Sequence, residues 1–167
     1  MATDRTAVIG FPVDHSLSPI IHNHWIKELG LDTKPYEKIN VDPNKFEEQI
    51  NNLKAKGYGG LNVTVPLKEL AFSISDETSG VSKKLKSVNT LSLNSEKIDG
   101  DNTDAVGFIN SLDEKTIENN IANKKILVLG AGGSARSVVH ALNELGGHVR
   151  LFNRTPEKAA ILLNDLS

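Results

Sequence analysis

Cysteine is absent from the 167 residues, which excludes disulfides, thiolate zinc sites and a cysteine nucleophile. Long hydrophobic runs are absent as well. The longest unbroken run of isoleucine, leucine and valine is Ile126-Leu127-Val128-Leu129, far short of the roughly 20 apolar residues that cross a bilayer. The amino terminus, Met1-Ala2-Thr3-Asp4-Arg5, runs straight into a strand-like segment at 6–10 with no secretory hydrophobic region. No block of one charge occurs either. Lysine and arginine total 19 against 21 acids, a net charge of −2, with both signs scattered. Lys83-Lys84 and Lys124-Lys125 read as solvated surface rather than a nucleic-acid groove. These absences argue against nucleic acid or membrane as partners and set the expectation of a cytoplasmic protein.

What is present is an ordinary globular composition. Residues AVILMFWYC make up 38%, and 13 glycines bring the apolar share towards the usual range. The length suits one domain, or one domain and part of another. Ala7-Val8-Ile9 reads as a strand ending at Gly10. Ser18-Pro19 reads as an N-cap with proline at the first helical position, and Ile21, Trp25 and Leu29 form an apolar stripe running to Gly30. A strand at 35–41, a second cap-plus-proline at Asp42-Pro43, and a helix lined by Phe46, Ile50 and Leu53 follow. A third strand is expected at 61–65, and a strand pair at 88–93 and 97–99 around Asn94-Ser95. Strands separated by helices of this length imply a mainly parallel, covered sheet. A second unit begins at Asp104: a helix to Leu112, a polar connector at 113–123, then strand 125–129, helix 134–145, strand 148–152 and a helix from Pro156. The expected domains are therefore 1–103 and 104–167.

Gly130-Ala131-Gly132-Gly133-Ser134-Ala135 joins the strand to the helix in the pattern G-x-G-x-x-A. Gly130 suits a tight turn, Gly132 close approach of a pyrophosphate, and Ala135 close helix–strand packing, with the helix dipole favouring the anion. A tight turn that binds nothing is the bland alternative, but strand–turn–helix is the context a dinucleotide site requires. Twenty-two residues beyond Gly132, the next strand ends in Asn153-Arg154-Thr155 rather than in an acid. A guanidinium there suits a 2′-phosphate, hence NADP, although a solvated loop arginine would read the same way.

Three polar stretches fit packing poorly: Ser16-Leu17-Ser18, Asn62-Val63-Thr64-Val65-Pro66-Leu67-Lys68 and Asp101-Asn102-Thr103-Asp104. Singly each has a plain explanation: Ser18 as a cap, Asn62 and Thr64 facing solvent, Lys68 on the surface, Asp104 complementing a helix dipole. His22 and His24 are two apart and share no helix face; no histidine is assigned to catalysis, and no cluster suggests a metal.

Together, Ser-Leu-Ser-Pro, Asn-Val-Thr-Val-Pro-x-Lys, Val-Asn-Thr-Leu, Asp-Asn-Thr-Asp, Gly-Ala-Gly-Gly and Asn-Arg-Thr stand in the order that resembles shikimate dehydrogenases, from about residue 6 to residue 160. The resemblance implies NADP-linked interconversion of shikimate and 3-dehydroshikimate in aromatic amino-acid biosynthesis. It implies that Ser16 and Ser18 hold the substrate carboxylate, that Asn62, Thr64, Asn89 and Asp104 bind ring hydroxyls, and that Lys68 and Asp104 form the catalytic pair. Gly130, Ala131, Gly132, Gly133, Ser134, Ala135 and Arg136 would hold the pyrophosphate, and Asn153, Arg154 and Thr155 the 2′-phosphate. A lysine beside a carboxylate suits the proton transfer that accompanies hydride transfer at a secondary alcohol.

The expected fold is α/β: a mainly parallel three-layer substrate domain followed by an incomplete Rossmann-type dinucleotide-binding domain. Two strands fall short of the classical six, so a truncated, poorly active form that self-associates through the cofactor domain is expected. A quinate/shikimate dehydrogenase of broader specificity and a non-catalytic shikimate-binding fragment remain alternatives.

Overall fold

In the computed structural model, which describes residues 5–94 and 96–166, the apolar run near the amino terminus lies inside a sheet covered on both faces. Ala7, Val8 and Ile9 are all buried within β1 (Arg5–Gly10). Ala7 and Ile9 join one apolar layer with Val41, Phe46, Ile50 and Leu53, while Val8 joins Val13 and Tyr36 on the other side. Such continuous burial is the mark of a central parallel strand. β1 pairs in parallel with both β2 (Glu37–Asn40) and β3 (Tyr58–Val63).

The six-stranded sheet has the order β2-β1-β3-β5-β6-β4, with β4 at Glu77–Thr78, β5 at Thr90–Leu93 and β6 at Ile98–Asp101. β5 runs antiparallel to both neighbours, β3 and β6, whereas β4 is parallel to β6. The expected turn residue Ser95 lies outside the described residues; beside it the Asn94 N–H donates to the Lys97 carbonyl at 3.0 Å.

Several local expectations need adjustment. α1 (Ser18–Glu28) forms, but its cap position is Leu17 and no side chain caps it. The Ile21, Trp25 and Leu29 stripe is 47%, 53% and 69% exposed. The side of α1 that meets the sheet carries His22, Asn23 and Ile26 instead, because the Tyr36 ring and backbone offer His22 and Asn23 specific partners. Asp42 does act as a cap, accepting the Asn44 N–H at 2.9 Å ahead of a 3-10 turn at Pro43–Lys45 and α2 (Phe46–Ala55). β3 begins at Tyr58 and stops at Val63, because Thr64 opens a turn closed by the Leu67 N–H on the Thr64 carbonyl. α3 (Lys68–Ile74) and α4 (Gly80–Leu85) complete this region.

The chain divides into two units, one of residues 5–82 and 87–101, the other of 83–86 and 102–166. The boundary expected after residue 103 thus falls after Asp101, and a four-residue excursion belongs with the later unit. Both have a polar cause. Buried Asn102 accepts the Ser137 hydroxyl at 3.5 Å, and Lys86 pairs with Asp165 at 2.6 Å.

The second unit holds α5 (Asp104–Asn110), a short α6 (Glu114–Thr116) and a π turn (Ile117–Ile121), where a plain connector was expected. β7 (Lys125–Leu129) and β8 (His148–Phe152) pair in parallel as a two-stranded sheet. α7 (Gly133–Glu144) and α8 (Pro156–Leu166) pack on β8, with Val139, Ala141, Leu142, Ala159 and Leu162 buried. Leu127, Leu129 and Phe152 on the other side of the pair are 63%, 72% and 65% exposed.

Candidate functional site

Parallel β1 and β3 both end at one edge of the first unit's sheet, and antiparallel β5 begins there, so the residues just outside these strands gather at that edge. Carboxyl ends of parallel strands are where open α/β sheets place ligands. The Thr64 N–H donates to the Ile9 carbonyl at 2.9 Å, the Val63 N–H to the Asn89 carbonyl at 2.7 Å, and the Val88 N–H to the Lys68 carbonyl at 2.9 Å. Those bonds bring Thr64, Lys68 and Asn89 into neighbouring positions. Lys68 opens α3 and is 8% exposed, unusual burial for a lysine. The Thr90 hydroxyl donates to Asn89 Oδ1 at 2.9 Å.

The loop after β1 supplies the serines. Val13 N–H donates to Asn40 Oδ1 at 2.9 Å, and the Ser16 N–H donates to the Val13 carbonyl at 3.0 Å. The Ser16 hydroxyl oxygen then accepts the Ser18 N–H at 3.3 Å, and the two hydroxyls stand 3.2 Å apart. Ser18 therefore spends its side chain on Ser16 rather than on a helix cap.

Asn62 points from β3 towards Tyr36, whose hydroxyl donates to Asn62 Oδ1 at 2.6 Å. Burial pushes the Tyr36 phenol well above the usual tyrosine range, so it stays a donor. Tyr36 is not legible as a site residue in the sequence, because a lone tyrosine ahead of a strand carries no motif.

Asp104 belongs to the second unit, whereas Lys68 belongs to the first. Asp104 opens α5, and its N–H donates to Asn102 Oδ1 at 3.0 Å.

The glycine turn follows β7. Gly130 has φ +105, a left-handed conformation that glycine tolerates and side chains resist, and its N–H donates to the Phe152 carbonyl at 2.8 Å. Gly132 is extended at the start of α7, and a Cβ there would meet nothing within 4 Å. With Gly133, Ser134 and Ala135 in the first helical turn and no side-chain cap, the opening amides of α7 suit a phosphate anion.

Two expected cofactor residues have structural partners of their own. Asn153 Oδ1 accepts the Ala131 N–H at 3.2 Å while its amide donates to the Thr155 carbonyl at 2.8 Å, fastening the turn to the loop after β8. The Arg136 guanidinium is buried and paired with Asp165 at 2.8 Å, and its backbone N–H donates to the Gly132 carbonyl at 3.4 Å. Lys86, then Arg136, hold the Asp165 carboxyl below the usual carboxylate range. Arg154, two residues past the end of β8, is exposed. Among the described residues no group of three or more histidines and acids is placed to hold a metal, and no helix is long and apolar enough to cross a membrane.

The family model described as "Shikimate dehydrogenase substrate binding domain" matches residues 8–91. The chain is 43% identical over 158 residues to a shikimate dehydrogenase (NADP(+)) of Methylocella silvestris, covering 95% of this chain and 56% of that protein. A Methanococcoides burtonii protein of the same name is 39% identical, with 96% and 58% covered. Among solved structures, shikimate dehydrogenase of Aquifex aeolicus superposes with a TM-score of 0.87 at 40% identity, covering 97% of this chain and 60% of that one. The Thermus thermophilus enzyme in complex with NADP(H) and shikimate superposes with a TM-score of 0.83 at 36% identity, with 97% and 60% covered. The chain thus spans little more than half the length of these relatives.

Proposed function

The chain belongs to the shikimate dehydrogenase family, and from that premise we propose that it serves the NADP-dependent interconversion of shikimate and 3-dehydroshikimate, a step of aromatic amino-acid biosynthesis. The gathering of Ser16, Ser18, Asn62, Thr64, Lys68 and Asn89 at one sheet edge carries the reading. The adjacent Ser16 and Ser18 hydroxyls bind the carboxylate without placing a second permanent charge near Lys68. Asn62, Thr64, Asn89 and Asp104 take the ring hydroxyls. Lys68 accepts the proton of the reacting secondary hydroxyl during oxidation and returns it in the reverse direction, with Asp104 as its partner.

When bound, NADP would supply the hydride acceptor for oxidation and the hydride donor for the reverse direction. The open approach at Gly132 and the uncapped start of α7 fit its pyrophosphate against the backbone from Gly130 to Arg136. Arg154, with Asn153 and Thr155, takes the 2′-phosphate and favours NADP over NAD.

A second reading, a shikimate-binding module with little turnover that self-associates, draws support from the exposed apolar side of β7 and β8. Calorimetric titration with shikimate and NADP, beside a turnover assay on the same sample, separates the two. Turnover upholds the dehydrogenase; binding of shikimate without turnover upholds the module. No shikimate binding rejects both, and faster quinate oxidation with NAD would move the assignment to a quinate/shikimate dehydrogenase.

A further inference from the structure

Tyr36 is held more firmly than its place just ahead of a four-residue strand requires. It is 5% exposed and packs with Val8 and Val13. The Asn23 side chain clasps its backbone on both sides, accepting the Tyr36 N–H at 2.8 Å and donating to the Tyr36 carbonyl at 3.0 Å. The ring stacks on His22, with centroids 4.2 Å apart and planes 10° from parallel, and Trp25 meets His22 edge-on at 5.5 Å. Burial lowers the His22 pKa and so favours a neutral imidazole in the stack. The outcome of this framework is one hydrogen bond, from the Tyr36 hydroxyl to Asn62 Oδ1 at 2.6 Å.

We propose that Tyr36 is a positioning residue that locks the Asn62 carboxamide with its oxygen turned inward, so that Asn62 presents only N–H donors to the ligand. An unrestrained asparagine can turn either its oxygen or its nitrogen towards a ligand. Here the oxygen is engaged, and turning the amide over would let its N–H2 donate to the phenol oxygen but would leave the buried phenol proton without its acceptor. The ligand atom at Asn62 must then be an acceptor, such as a hydroxyl or keto oxygen; a group that can only donate, such as an ammonium, is rejected. Only the choice of shikimate as that ligand rests on the proposed function.

The test uses the whole chain, with Tyr36→Phe, Asn62→Ala, their double variant and Asn62→Asp. Shikimate dissociation constants come from calorimetry, and the Asn62 carboxamide resonances from 15N–1H spectra, assigned by their loss in Asn62→Ala. Tyr36→Phe is expected to weaken shikimate roughly 5–30-fold, the range of a lost hydrogen bond to a site group, and to shift the Asn62 amide pair. Added to Asn62→Ala, it should cost nothing further, whereas a general packing defect would cost the same in both backgrounds. Asn62→Asp, which keeps an acceptor for Tyr36 but loses the donors, should bind as poorly as Asn62→Ala. An unchanged dissociation constant in Tyr36→Phe, additive losses, or full binding by Asn62→Asp would each overturn the proposal. If the unaltered chain binds no shikimate, the functional reading fails by itself. The amide resonances then decide: a shift in Tyr36→Phe sustains the positioning role, and no shift ends it. If Tyr36→Phe does not fold, Asn62→Asp still decides between donor and acceptor.

Discussion

Gly10 closes β1 against Thr64, where an added Cβ would come 2.6 Å from Thr64 Cγ2 and 3.2 Å from the Val65 carbonyl oxygen. Thr64 is β-branched and has few rotamers to retreat into. Gly10→Ala is therefore expected to weaken shikimate binding several-fold, with calorimetry as the readout and unaltered affinity as the contrary result. Lys68→Ala, measured in a form that sustains steady-state turnover, should lower kcat by roughly 10²–10⁴-fold, the range for a lost general acid or base. The shikimate KM should move far less; a steep rise in KM at constant kcat would make Lys68 a binding residue instead. Arg154→Ala should weaken NADP binding far more than NAD binding, since only NADP carries the phosphate that a guanidinium grips. Equal small losses for both would return Arg154 to the role of a solvated loop residue. These residues were legible because hydroxyls, amides and a lysine beside a proline have little to offer packing. Tyr36 was not, because its use depends on a partner 26 positions away.

At the scale of elements, α8 is fastened to α7 by charge as well as by apolar contact. Asp165 accepts from Arg136 at 2.8 Å and from Lys86 at 2.6 Å. Because Lys86 and Arg136 depress its folded pKa, the stabilisation is complete above the ordinary aspartate pKa of about 3.9 and is lost as pH falls through the lower folded value. Asp165→Asn is expected to cost about 1–2 kcal/mol at pH 7, between an exposed pair and a fully buried one, since Arg136 is buried but the carboxylate and Lys86 reach solvent. Urea denaturation at pH 7 and near pH 3 checks this. The two proteins should differ most at the first pH and less at the second, where the unfolded carboxyl is already protonated; an equal difference at both would assign the effect to packing. Helices such as α2 and α7 could be read from apolar periodicity and their opening residues. α1 shows the limit of that reading, for its fourfold stripe gave the helix but not its buried face. Hydrogen bonds and ring stacking chose His22 and Asn23 over Ile21 and Trp25. The two-residue β4 and the short α4 escaped notice because neither is long enough to show a period.

For the whole molecule, the first unit has a sheet with both faces of its central strand buried, while the second has two parallel strands whose open side exposes Leu127, Leu129 and Phe152 beside Lys125, His148 and Arg150. Parallel strands are normally covered on both faces, and isolated strand pairs are marginal in water. Sedimentation velocity over rising concentrations is expected to show association, reduced in Leu129→Glu; a single monomer species throughout would contradict it. The α/β class followed from alternating periods along the chain. The assignment of 83–86 did not, because two exposed lysines reveal nothing of acids some 60–80 residues later.

That excursion has a consequence for how the protein is made. Lys84 and Lys86 are synthesised well before Glu144 and Asp165, the carboxylates they meet. At about 5–20 residues per second, the interval is on the order of seconds. The strands up to Asp101 can leave the ribosome and pair within it, since β5 and β6 find their neighbours among residues already present. Residues 83–86 cannot. The unit that is translated first therefore carries, in its midst, four residues whose last contacts wait for α8 to emerge.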